Sequence, residues 1–148
     1  MLDKKVYNSY IGILKEEMIP AMGCTEPIAL AYGAARARQV LGHEPDRIIA
    51  RCSGNIVKNV RCVIIPNSGG LTGIEAGVVL GAVAGDASLD MEVLSKVDRE
   101  GQKRTEELLN AGICRVELLD SPVVLHFIIE MYSGEDHVSL EIKYDHIN

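Results

Sequence analysis

The sequence predicts an α+β fold, with helices in the first two-thirds packed on a mostly antiparallel sheet formed largely by the last third. Three observations carry this. Apolar residues recur at helical spacing through most of the chain up to about residue 111, while the text from Cys114 onward alternates apolar and polar. Helices that cluster early and strands that cluster late favour α+β over a doubly wound parallel sheet. A chain of 148 residues, 47% hydrophobic and 24% charged, is large enough for a single domain, 1–148, with a real core.

In chain order, Tyr7, Ile11, Leu14 and Met18 make one helical stripe over residues 3–19, with Asp3 as N-cap and Pro20 as stop. A second helix is expected from Glu26 to about Leu41. It is rich in Ala and nearly uncharged until Arg36, so it should be buried on several sides, and Gly42 stands at the left-handed C-cap. Residues 46–53 read as a strand. A polar turn at Gly54-Asn55 and a short segment ending in Val63-Ile64-Ile65 follow, then the loop Asn67-Ser68-Gly69-Gly70. Thr72 and Glu75 have capping-box spacing and open a Gly/Ala/Val helix to about Gly85. Glycines 73, 77, 81 and 85 leave one face of it as bare backbone, inviting very close packing. Residues 90–111 read as a surface helix with Met91, Leu94, Val97, Gly101, Thr105 and Leu108 on one side. Residues 114–118 and 123–131 read as strands. Ser133-Gly134-Glu135-Asp136 closes a hairpin, and 138–144 return with one wet and one dry face.

The bulk numbers narrow the function. A formal net charge of −6 leaves no electrostatic footprint for nucleic acid or an anionic membrane surface. The longest apolar run, 74–84, contains Glu75 and is far shorter than the ~20 residues of a membrane span. The start runs into an amphipathic stretch without the apolar centre of a signal peptide, so the cytoplasm is expected. Of the four cysteines, Cys52, Cys62 and Cys114 lie in strand-like text and read as small buried hydrophobes; none forms a C-x-x-C pair. His126, in an apolar strand, reads as a satisfied core residue.

Cys24 differs. In Gly23-Cys24-Thr25-Glu26-Pro27, Thr25 is a good N-cap and Pro27 is tolerated in the first helical turn. Cys24 then stands just outside a helix N-terminus, where free N–H groups and the dipole stabilise a thiolate that can serve as base, nucleophile or metal ligand. The same text also suits a tight helix–helix corner holding a small residue. The 67–72 loop can hold a carboxylate or phosphate on successive N–H groups, or be a plain connection. Asn55, Lys58 and Asn59 form a polar cluster between apolar segments, and surface turn residues are the alternative.

Gly23-Cys24-Thr25-Glu26-Pro27, followed by Ile-Ala-Leu-Ala, resembles the signature near the start of the L-cysteine desulfidase family, kin to iron–sulfur L-serine dehydratases. The resemblance continues through 53–59, Ile65-Pro66 with its glycine-rich loop, 73–76, 80–82 and 85–87, and His146-Ile147-Asn148 looks like the start of a His-x-Asn motif. It implies the amino-terminal part of a [4Fe-4S] lyase converting L-cysteine to pyruvate, ammonia and sulfide. Cys24 would be the base or a displaceable cluster ligand, and Thr25, Glu26, Lys58, Asn59, Ser68, Gly69 and Gly70 would bind substrate or shape the pocket. The family's remaining cluster cysteines lie in a carboxy-terminal portion, supplied here by a continuation or partner subunit. The resemblance therefore implies that this stretch alone is inactive and holds no cluster. L-Serine as substrate, a homo-oligomeric state and a free-standing non-catalytic small-molecule-binding domain remain as alternatives.

Overall fold

The computed structural model describes residues 11–14 and 25–144. Strand β1 (Ile11–Leu14) is followed by helix α1 (Thr25–Leu41), β2 (Arg47–Ser53), α2 (Gly54–Val60) and α3 (Ile74–Ala84). A 3-10 turn (Ala87–Glu92), α4 (Arg99–Asn110), β3 (Cys114–Leu119), β4 (Leu125–Ser133) and β5 (Asp136–Tyr144) complete the order. The strands form a five-stranded sheet in the order β1-β5-β4-β2-β3. The α+β class holds. The sheet is mixed: β4 runs antiparallel to both β2 and β5, whereas β1–β5 and β2–β3 are parallel pairs.

Strand alternation sorts the two faces of the sheet. Ile48, Ala50 and Cys52 of β2, Leu125, Phe127, Ile129 and Met131 of β4, and Val138, Leu140 and Ile142 of β5 are buried on the face that receives the helices. Helix α1 lies between this face and α3, which is why it is apolar nearly all round. On one side a methyl group placed on Gly33 would sit 2.7 Å from the Phe127 ring. On the other, Ala31 meets Gly81 of α3 so closely that a methyl group there would fall inside contact distance of the Ala31 carbonyl oxygen and 2.7 Å from its Cα. The glycine stripe thus performs the close packing expected of it. Gly42, at φ 91°, ends α1 by donating its N–H to the Arg38 carbonyl at 2.9 Å, the expected left-handed cap.

Four sequence expectations are corrected. Residues 11–14 of the expected 3–19 helix form a parallel strand on β5; the rest of that segment lies outside the described residues. The run Ile-Gly-Ile-Leu has poor helix propensity, and pairing along β5 satisfies its backbone as a ladder. The polar turn at 54–55 is the start of α2, because Ile56 and Val60, four apart, both reach the core. No capping box forms at 72–75: Gly73, at φ 96°, precedes α3 without a side-chain cap, and Thr72 bridges to Ile64 instead. The 90–111 helix is split, since Asp90 adopts φ 53°, and α4 starts only after Asp98, whose Oδ1 accepts the Gly101 N–H at 2.9 Å. Leu94, Val97, Thr105 and Leu108 of the expected stripe are nonetheless buried. The β4–β5 hairpin closes through Gly134-Glu135, with Gly134 at φ 59°, as a two-residue turn with glycine first requires.

Candidate functional site

Cys24, the centre of the expected site, lies outside the described residues. Its neighbour Thr25, expected as the N-cap of a helix from Glu26, is the first residue of α1, so the helix starts one residue earlier than expected. Pro27 of α1 faces Gly77 of α3, and Ala31 faces Gly81. Equal steps along both helices mean that they run parallel, with their N-termini side by side. Parallel dipoles put two positive ends together, an arrangement that favours an anion at this end.

Glu26 in the first turn of α1 meets this field favourably, and Asn59 at the end of α2 donates Nδ2–H to Glu26 Oε2 at 3.4 Å. Lys58, the neighbour of Asn59, is exposed. Glu26 and Asn59, from two separated stretches of sequence, therefore meet beside the start of α1, and Lys58 is next to Asn59 in α2. Asn55 does not join them: its Nδ2–H goes to the Val124 carbonyl at 3.1 Å, tying α2 to the approach of β4.

The Ser68-Gly69-Gly70 loop is committed elsewhere. Ser68 is buried; its hydroxyl accepts the Leu71 N–H at 2.9 Å and donates to the Leu71 carbonyl at 3.3 Å. Gly69 and Gly70 carry φ of 79° and 98°, so these glycines serve the turn. Asn67 donates to the carbonyls of Leu94 and Val97 at 2.9 and 3.1 Å, and Gln102 donates to the Asn67 carbonyl at 3.1 Å. The loop is thus pinned against the start of α4, and no hydrogen bond joins Ser68 to Glu26, Lys58 or Asn59. The Ser68 hydroxyl and the Asn67 side chain are thus used in holding the loop itself.

Cys52 is fully buried and Cys114 half-buried, both packed with the apolar core. Burial pushes both thiols up to about 12, with the charge of Glu75 adding to it, so they stay protonated at neutral pH. Cys62 is corrected: it is exposed in the turn after α2. Among the described residues no group of three or more His, Cys, Asp or Glu is arranged to hold a metal ion. None of their helices is long and apolar enough to cross a membrane.

The sequence reading missed a polar group on the other face of the sheet. His126 bridges Ser121, at 2.8 Å from Nδ1, and Glu141, at 2.5 Å from Nε2. Strand alternation makes His126 and Glu141 candidates for one face, but only the hairpin register, Ile128 opposite Glu141, brings them together. An open cleft of about 370 Å³ lies toward the far ends of α1 and α3, with Arg38, Gln39 and Asp86 in its lining.

No family model matches the chain, and no solved structure matches it. Curated proteins do. A protein of Lachnoclostridium phytofermentans is 43% identical over 95% of this chain and 34% of its own length. One of Treponema denticola is 42% identical over 99% and 34%, and one of Vibrio parahaemolyticus 36% identical over 96% and 33%. All three carry the name UPF0597 protein, which states no activity. This corrects the family expected from the motif, the amino-terminal part of an L-cysteine desulfidase. The chain is instead similar, over nearly all of its residues, to UPF0597 proteins, and it spans about a third of the length of these relatives.

Proposed function

We propose that this chain contributes Cys24 to the active site of a cytoplasmic lyase acting on a small amino acid. From L-cysteine the products would be pyruvate, ammonia and sulfide; from L-serine, water would leave in place of sulfide. The supporting observation is the pair of parallel helices whose N-termini lie side by side, one of which starts at Thr25, the residue that follows Cys24 in the sequence. Two positive dipole ends favour the thiolate over the thiol. As base, that thiolate takes the α-proton, the bond from Cβ to its substituent breaks, and the resulting aminoacrylate hydrolyses. Glu26, Lys58 and Asn59 beside the helix start are the groups available to meet the ammonium and carboxylate of the substrate.

The described residues do not fit a [4Fe-4S] cluster. They hold no ligand group, and the Cys52 and Cys114 thiols are buried and protonated.

The test is release of sulfide and pyruvate from L-cysteine, and of pyruvate from L-serine, by the full-length protein under anaerobic conditions. Cys24→Ser should lower the rate by about 10²–10⁴. Full activity in that variant would remove Cys24 from the mechanism, and no turnover of either amino acid would remove the lyase. A second reading, a non-catalytic module for a small ligand, draws on the cleft lined by Arg38, Gln39 and Asp86. Thermal stabilisation by amino acids that persists in Cys24→Ser, without turnover, would favour it.

A further inference from the structure

The outer face of the sheet carries three side chains in the order nucleophile, base, acid. Ser121 lies in the connection before β4, His126 on β4 and Glu141 on β5. Ser121 Oγ is 2.8 Å from His126 Nδ1, and His126 Nε2 is 2.5 Å from Glu141 Oε2. The imidazole is 12% exposed and the Glu141 side chain 20%, so both are largely withdrawn from water.

The proton positions follow from donor and acceptor counting. An ionised carboxylate only accepts, so Nε2 carries the hydrogen and donates it to Glu141. Neutral imidazole then has a bare Nδ1, and the Ser121 hydroxyl donates to it. Ser121 Oγ also accepts the Val123 N–H at 3.2 Å. Of its two lone pairs one is occupied by that bond, and the other is free to attack. The connection holding Ser121 is itself anchored, since the Val124 carbonyl accepts from Asn55 at 3.1 Å and Ser53 at 3.4 Å. A serine within hydrogen-bond reach of a histidine that a carboxylate orients is the arrangement that activates a hydroxyl. The chemistry is recognised by geometry and role, and either ring nitrogen can face the nucleophile.

We propose that Ser121, His126 and Glu141 form a second reactive centre, on the outer face of the sheet, in which Ser121 is an activated nucleophile toward small carboxylic esters. In the first step Oγ bonds to the acyl carbon while its proton moves to His126 Nδ1, and the imidazolium is held by Glu141 through Nε2–H. The bond from the acyl carbon to the leaving oxygen then breaks, and that oxygen takes the proton from Nδ1. Water repeats the sequence, releasing the acid and restoring the serine. The strand register puts Lys143 directly opposite His126 on the same face, where an ammonium can oppose the charge developing on the carbonyl oxygen.

A fluorophosphonate serves as a covalent stand-in for the ester: Oγ bonds to phosphorus, the phosphorus–fluorine bond breaks, and fluoride leaves. The folded protein is treated with it, and modification of each serine is followed by peptide mass spectrometry. Ser121 should be modified at least 100-fold faster than the exposed Ser95 in the same sample. Ser121→Ala should abolish that adduct, and His126→Gln should slow it by about 10²–10⁴. Glu141→Gln, which keeps the shape of the side chain, should slow it about 10-fold or more and serves if His126→Gln does not fold. Modification of Ser121 no faster than of Ser95 would overturn the proposal without recourse to any variant. An unchanged rate in a folded His126→Gln or Glu141→Gln protein would overturn it equally, since a purely structural histidine leaves the serine unactivated.

Discussion

The two faces of the sheet are built from the same strands, yet they work differently. The inner face is a continuous apolar surface of Ile48, Ala50, Cys52, Phe127, Ile129, Leu140 and Ile142, against which α1 and then α3 are pressed at backbone distance. The outer face holds charges that satisfy one another: Arg51 bridges Glu117 and Glu130, and His126 bridges Ser121 and Glu141. The inner face leaves no volume for change and tolerates no charge. On the outer face, small displacements are absorbed by water and by long side chains, so polar groups there can be arranged for chemistry at little cost to the fold.

The largest test of this contrast uses pH. Burial raises the Cys52 and Cys114 thiols from an ordinary value of 9.0 to about 12 in the fold. Between those values the unfolded chain sheds protons that the folded one keeps, so stability present below about pH 9 should fall as pH rises toward 12. The loss is at most about 4 kcal/mol per thiol. Denaturant midpoints measured at pH 8 and pH 10.5 should show a smaller drop for Cys52→Ala than for the parent; an equal drop would mean that the thiol is already accessible.

Next comes the helix seam. Gly81→Ala forces a methyl group into the Ala31 backbone, which cannot swing aside, so a loss of about 3 kcal/mol or more is expected in urea unfolding. Gly33→Ala meets the Phe127 ring at 2.7 Å, and a ring can turn; about 1–2 kcal/mol is expected there. A smaller loss for Gly81→Ala than for Gly33→Ala would show that the helices separate more easily than the ring moves. On the outer face, Arg51→Ala removes contacts of 3.2 Å and 3.3 Å from a side chain that is 39% exposed. It should change stability by no more than about 1 kcal/mol, less at high salt. A cost as large as that of Gly81→Ala would erase the distinction between the faces.

Much of the inner face was legible. The Ala-rich helix ending at Gly42, the four-residue glycine stripe and the alternation in β5 each followed from one residue pattern with one physical meaning. Less legible were elements whose local signal competes with tertiary pairing. Ile11–Leu14 fits a helical stripe by spacing but sits in a strand because β5 offers it a ladder. Gly54-Asn55 reads as a turn, yet the burial of Ile56 and Val60 winds it into α2. Of the candidate site, Glu26 and Asn59 do meet. Ser68 does not join them, because its hydroxyl closes its own loop on Leu71, a use that spacing cannot distinguish from ligand binding.

Sequence alone determined the class of the fold, the position of α1 directly after Cys24, and the dry face of the last strand, since these depend on periodicity and on caps a few residues long. Only the tertiary structure decided that α1 and α3 run parallel with their N-termini together, that α2 brings Asn59 to Glu26, and that a hairpin register joins His126 to Glu141. Each of these is a contact between distant stretches. Its geometry depends on which backbones pack closely and which strands pair, and neither is encoded at any single position.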